Sequence, residues 1–196
     1  GGGGGELGRL LLTMLYESHR EGSKYWNYFC SVPLNVPLPF QWDDETLPSD
    51  FKKDAYLQAQ RDAYATLAEA SYAATVDKVL ASPLKVFTEE QLSKAKWAWA
   101  LSIVLSRAFA LKRTSGVFGK TTVLGDSQAA KQASYLTSML DGSKPSDGVE
   151  LVLIPGLDMA NHGEEGEEGT AVLEFKDGKV TAVAGKGTLT RGEEVL

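Results

Sequence analysis

The stretch LVLIPGLDMANH, residues 151–162, decides how the chain is read. Leu151 to Ile154 is an apolar run with the length and composition of a buried strand. Pro155 and Gly156 stop it, and Asp158, Asn161 and His162 follow within one short turn. A strand that ends and presents polar side chains at its tip is a common way to build a site. The same residues also suit an ordinary strand-end turn, with Asn161 in an Asx-type hydrogen bond and His162 half exposed. The rest of the chain favours the site.

Downstream lies GEEGEEG (163–169), whose carboxylate spacing fits no calcium loop and reads as a solvated tip. AVLEF, KDGK and VTAVAG then predict a hairpin turning at Asp177-Gly178, and TLTRGEEVL begins another strand. Upstream, DGSKPSDG (141–148) is a turn-rich connector, and residues 126–141 predict a short helix capped by Asp126. RTSGVFGKTTVLGD (113–126) ends like a phosphate-binding P-loop at Gly119-Lys120-Thr121, but Thr114 stands where that motif needs glycine.

Before residue 141 the chain reads as mostly helical. Five glycines make a flexible leader. Leu7, Leu11, Met14 and Leu15 then share one helical face, with Gly22 as C-terminal cap and His19 at the surface. Pro33, Pro37 and Pro39 forbid regular helix in residues 23–47, so Tyr25, Trp26, Phe29, Phe40 and Trp42 are expected to anchor an ordered loop. Ser49 or Asp50 caps a long helix reaching Leu80, with Tyr56, Ala63, Leu67, Ala70 and Val76 inward. Thr88 to Gln91 forms a capping box for a last helix reaching Lys112, with Trp97, Leu101, Val104, Ala108 and Leu111 as its apolar stripe. Arg107 in that helix is explained equally by compensation of the helix dipole.

Composition narrows the function. With 196 residues the chain can bury one sizeable core. Its net charge of −6 argues against a generic nucleic-acid binder. One cysteine, Cys30, allows no internal disulfide, and one Cys with two His cannot complete a structural zinc site. No apolar run is long enough to span a bilayer. The chain opens on glycines and stops inside a strand-like segment, so it is expected to be cut at both ends.

Taken together, SRAF (106–109), LIPGLDMANH (153–162), the hairpin and RGEEV (191–195) resemble SET-domain protein-lysine methyltransferases. The similarity is to the subfamily containing the plant Rubisco large-subunit methyltransferase. The segment from Gly5 to Pro33 resembles that subfamily's helix, tryptophan–tyrosine element and proline segment, and QWDDETL (41–47) resembles the tryptophan-containing acidic segment after them. The resemblance implies an α+β fold: SET-type sheet elements at the C-terminal end (150–196), a large helical insertion over about residues 45–112, and a mostly helical chain before residue 141. It makes residues 7–196 a partial SET domain behind a leader of six residues.

By the same resemblance the activity is methyl transfer from S-adenosylmethionine to a protein lysine, with no metal. Asn161, His162 and Arg107 would contact the cofactor. Arg107, Leu111 (one helical turn on) and Asp158 would line the lysine side. The family's catalytic tyrosine would lie beyond Leu196, and its glycine-containing cofactor loop would precede the first helix, so the fragment is expected to be inactive alone. The expected partner is a protein substrate for a monomeric enzyme, with target residue and compartment left open. The alternative is a catalytically dead SET relative that holds a partner through its helical insertion and Trp/Pro loop.

Overall fold

A computed structural model describes residues 3–112, 138, 149–159, 171–176 and 179–184. The chain divides into two units, one built mainly from residues 1–106 and the other holding residues 107–136 and 145–196.

The first unit is helical. α1 (Gly3–His19) carries Leu7, Leu11, Met14 and Leu15 on one buried face, as their spacing predicts. It also takes in Gly3 to Gly5, which the sequence assigns to a leader. Gly22 sits beyond the helix end at φ +75, a left-handed position that glycine adopts without Cβ strain. α2 (Trp26–Ser31) is a short helix ahead of Pro33, where the proline-rich composition predicts only loop. Two indoles pin the proline segment: Trp99 Nε1 donates to Pro33 O at 2.9 Å and Trp42 Nε1 to Pro37 O at 2.9 Å. Trp26 is not an anchor; it is 49% exposed.

The long helix expected from Ser49 is interrupted. α3 (Ser49–Lys53) ends at Asp54, whose backbone is extended, and α4 (Ala55–Leu80) starts afresh. Asp54 is the cap: its Oδ1 accepts from Tyr56 N at 2.9 Å and Leu57 N at 3.1 Å. That satisfies two of the donors a helix start leaves open. The buried residues of α4 are Leu67, Ser71 and Val76, whereas Tyr56, expected inside, is 69% exposed.

The bonds of the expected capping box exist, Thr88 N to Gln91 Oε1 and Gln91 N to Thr88 Oγ1, but they close a single turn. α5 begins later, at Lys94, and ends at Arg107 rather than Lys112. Ala100 to Val104 are five consecutive buried positions, so this stretch of α5 is enclosed on all sides and lies in the core of the helical unit. Trp97 is the largest fully buried side chain; its Nε1 donates to buried Ser71 Oγ at 3.0 Å, and its ring meets Tyr72 edge-on.

The described residues of the second unit are mainly in short β-strands. β1 (Phe109–Lys112) pairs antiparallel with β2 (Val149–Val152), and β3 (Ala171–Lys176) with β4 (Lys179–Ala184). The β3–β4 register sets Lys176 opposite Lys179, as the predicted hairpin requires, although Asp177 and Gly178 lie outside the described residues. So do Gly119-Lys120-Thr121, the acidic tip 163–169, TLTRGEEVL and, apart from Ser138, the helix expected over 126–141. Among the described residues the chain is thus mostly helical up to Arg107, with short strands after it.

Candidate functional site

Arg107 is the last residue of α5, a position where a cation complements the helix dipole. One residue earlier, Ser106 Oγ donates back to Ser102 O at 2.7 Å, the local bonding by which serine bends or ends a helix. The chain then extends and pairs Phe109 with Val152, Ala110 with Leu151, Leu111 with Glu150 and Lys112 with Val149. This ladder brings Arg107 to the end of β2, some fifty residues away in sequence.

The turn after β2 is compact. Leu157 N and Asp158 N both donate to Ile154 O at 3.1 Å, giving a 3-10 turn over Leu157–Met159. Gly156 takes φ +89, which a side chain would strain. Its N–H donates to Asp158 Oδ1 at 3.1 Å, so the carboxylate closes its own turn, and Asp158 is only 8% exposed.

Arg107 docks on this turn. Its Nη1 donates to Asp158 O at 3.0 Å and contacts Met159 Sδ at 2.9 Å. Both partners are neutral, and among the described residues Arg107 has no ion pair. A half-buried guanidinium whose described partners are neutral is suited to receive an anionic group.

Of the residues expected at the site, the structure brings Arg107 and Asp158 together, through a backbone carbonyl rather than an ion pair. Leu111 is corrected: it lies on β1, not one turn further along a helix, because pairing with β2 replaces helical hydrogen bonding there. Asn161 and His162 lie outside the described residues. Sequence reasoning misses Met159. Its only signal is adjacency to Asp158, and nothing in the sequence marks its sulfur as a partner for arginine.

The first unit contains a groove of about 360 Å³ between α4 and α5. It exists because Ala65 and Ala68 face Ala95 and Ala98, side chains too short to fill the space, with Phe40 and Trp97 completing the apolar wall. At its rim Lys94 Nζ bonds Glu69 Oε2 at 2.7 Å and Oε1 at 2.9 Å. Hydrogen bonding to Glu69, then its charge, raises the Lys94 pKa above the usual lysine value.

Among the described residues no group of three or more His, Cys, Asp and Glu is placed to hold a metal, and no helix is long and apolar enough to cross a membrane. Comparisons with protein-family models, curated proteins and solved structures found no match to this chain.

Proposed function

We propose that the chain is part of an S-adenosylmethionine-dependent protein-lysine methyltransferase of the SET type, with a SET-type sheet in its C-terminal third. The observation that carries this reading is the docking of Arg107 on the Pro155–Met159 turn. Two segments singled out from the sequence for one site, SRAF and LIPGLDM, meet in space through the β1–β2 ladder.

The chemistry suits the residues. The bound cofactor supplies an electrophilic methyl group on a sulfonium. Arg107, whose partners among the described residues are neutral, fits the cofactor's carboxylate, and Asn161 and His162 are assigned to the remainder of the cofactor. Methyl transfer is an in-line displacement, so positioning supplies much of the catalysis. The attacking amine must be neutral, and a fixed guanidinium nearby opposes its protonation, as does exclusion of water. Leu111 and Asp158 are assigned to the lysine side of the same site.

A second reading, a non-catalytic binding protein, is favoured by the exposed Trp26 and by Leu34, which is 90% exposed in the Trp/Pro loop. Calorimetry with S-adenosylmethionine separates the two. The methyltransferase reading expects binding that Asn161→Ala weakens about tenfold or more, the loss of one or two good hydrogen bonds. Absence of binding by both this chain and a longer form carrying its flanking segments would refute it.

A further inference from the structure

The geometry points to Asp158 as a positioning residue for Arg107, acting through the turn that its carboxylate closes rather than through its charge. Three contacts converge on this. Asp158 Oδ1 accepts the Gly156 N–H at 3.1 Å, so this oxygen is tied to the backbone of its own turn. The backbone it fixes presents Asp158 O to Arg107 Nη1 at 3.0 Å. The residue after it sets Met159 Sδ 2.9 Å from the same nitrogen.

One guanidinium nitrogen thus takes two acceptors from adjacent residues of a single turn. That turn contains a glycine at φ +89, a residue whose backbone is free to take other conformations, and the bond to Asp158 Oδ1 restricts that freedom. Losing the Oδ1 acceptor leaves the Gly156 N–H without this partner and frees the turn to move. Both acceptors of Arg107 move with it. Asp158 is 8% exposed, so its carboxylate is held within the turn.

The inference assigns to Asp158 a part in the site proposed above, but its test does not depend on that site's activity. Asparagine keeps an oxygen able to accept from Gly156 N–H, and alanine does not. The test compares wild type, Asp158→Asn and Asp158→Ala by the rate at which phenylglyoxal modifies Arg107, resolved by mass spectrometry of its peptide. The expected result is Asp158→Asn within about twofold of wild type and Asp158→Ala at least about fivefold faster, the equivalent of one hydrogen bond of ~1 kcal/mol. Asp158→Asn as fast as Asp158→Ala would assign the effect to charge and overturn the inference; Asp158→Ala at the wild-type rate would overturn it equally. If Asp158→Ala fails to fold, hydrogen exchange of the Gly156 amide in the wild-type chain decides: protection supports the turn-closing bond, and exchange at the free-peptide rate overturns it. Calorimetry with S-adenosylmethionine on wild type and on the longer form separates the two ideas, since failure of both to bind refutes the methyltransferase reading and leaves the Arg107 result standing.

Discussion

Replacing Gly8 by alanine should destabilise the helical unit, against the intrinsic preference of both residues. Gly8 lies buried within α1, where alanine is favoured over glycine by about 1 kcal/mol. A Cβ at that position would stand 2.5 Å from Thr75 Oγ1 on α4, with Thr75 Cγ2 at 3.3 Å and Cβ at 3.5 Å. Real Cβ contacts essentially never fall below 3.0 Å, so the hydroxyl must move by most of an ångström. Threonine resists this because its branched Cβ restricts χ1 in a helix. Overpacking of this kind costs about 1–3 kcal/mol, which leaves a net loss of up to about 2 kcal/mol after the helical gain. In a Thr75→Ala background Oγ1 and Cγ2 are gone and the remaining Cβ is at ordinary contact. There Gly8→Ala should become stabilising by up to about 1 kcal/mol. The assay is urea unfolding followed by tryptophan fluorescence, which reports the helical unit alone because Trp26, Trp42, Trp97 and Trp99 all belong to it. A double-mutant cycle gives the coupling. Equal effects of Gly8→Ala in the two backgrounds, or stabilisation in both, would refute the argument.

Ser71→Ala leaves the buried Trp97 indole N–H without its acceptor and should lower unfolding free energy by about 1–3 kcal/mol, while Ser71→Thr, which keeps the hydroxyl, should lose less. Asp54→Ala removes the cap of α4 and should cost ~1 kcal/mol in urea melts, with Asp54→Ser recovering most of it. The Glu17 carboxyl is held below the usual glutamate value first by the hydrogen bond from Ser23 Oγ and then by Arg20. A depressed folded value means stability that is present above the unfolded glutamate pKa and lost as pH falls through the folded one. Ser23→Ala should therefore move the Glu17 carboxyl upward in an NMR titration and flatten the acid limb of the stability profile; an unmoved carboxyl would refute the assignment.

The sequence announced some of these elements and concealed others for physical reasons. The stripe of Leu7, Leu11, Met14 and Leu15 was legible because one face of α1 is buried and the other is not. The pairing of β3 with β4 was legible because two short β-prone runs flank Asp177-Gly178. The break at Asp54 was not, because no proline or glycine marks it and its immediate neighbours, Lys53 and Ala55, favour helix. Nor was the end of α5. FALK reads as more helix, and only its pairing with a strand some forty residues away makes it β1, which is a tertiary decision. At the site, Arg107 and Asp158 were marked by their segments, but the atom through which they meet, a main-chain oxygen, carries no sequence signature. Met159 was hidden for the same kind of reason, since a thioether beside an aspartate reads first as packing.

The asymmetry of α4 bears on how the helical unit comes apart under native conditions. All of its buried residues, Leu67, Ser71 and Val76, lie from the middle of its 26 residues onward. Before Leu67, its ties to the rest of the unit include Arg61, which bonds Asp44 Oδ1 at 2.6 Å and Trp42 O at 2.8 Å. Backbone amides there have little apolar cover, so they open by local fluctuation rather than by global unfolding. A protease should therefore nick the chain between Asp54 and Arg61 long before it reaches the Trp97–Ser71 core, and the severed helix should stay folded from Leu67 onward.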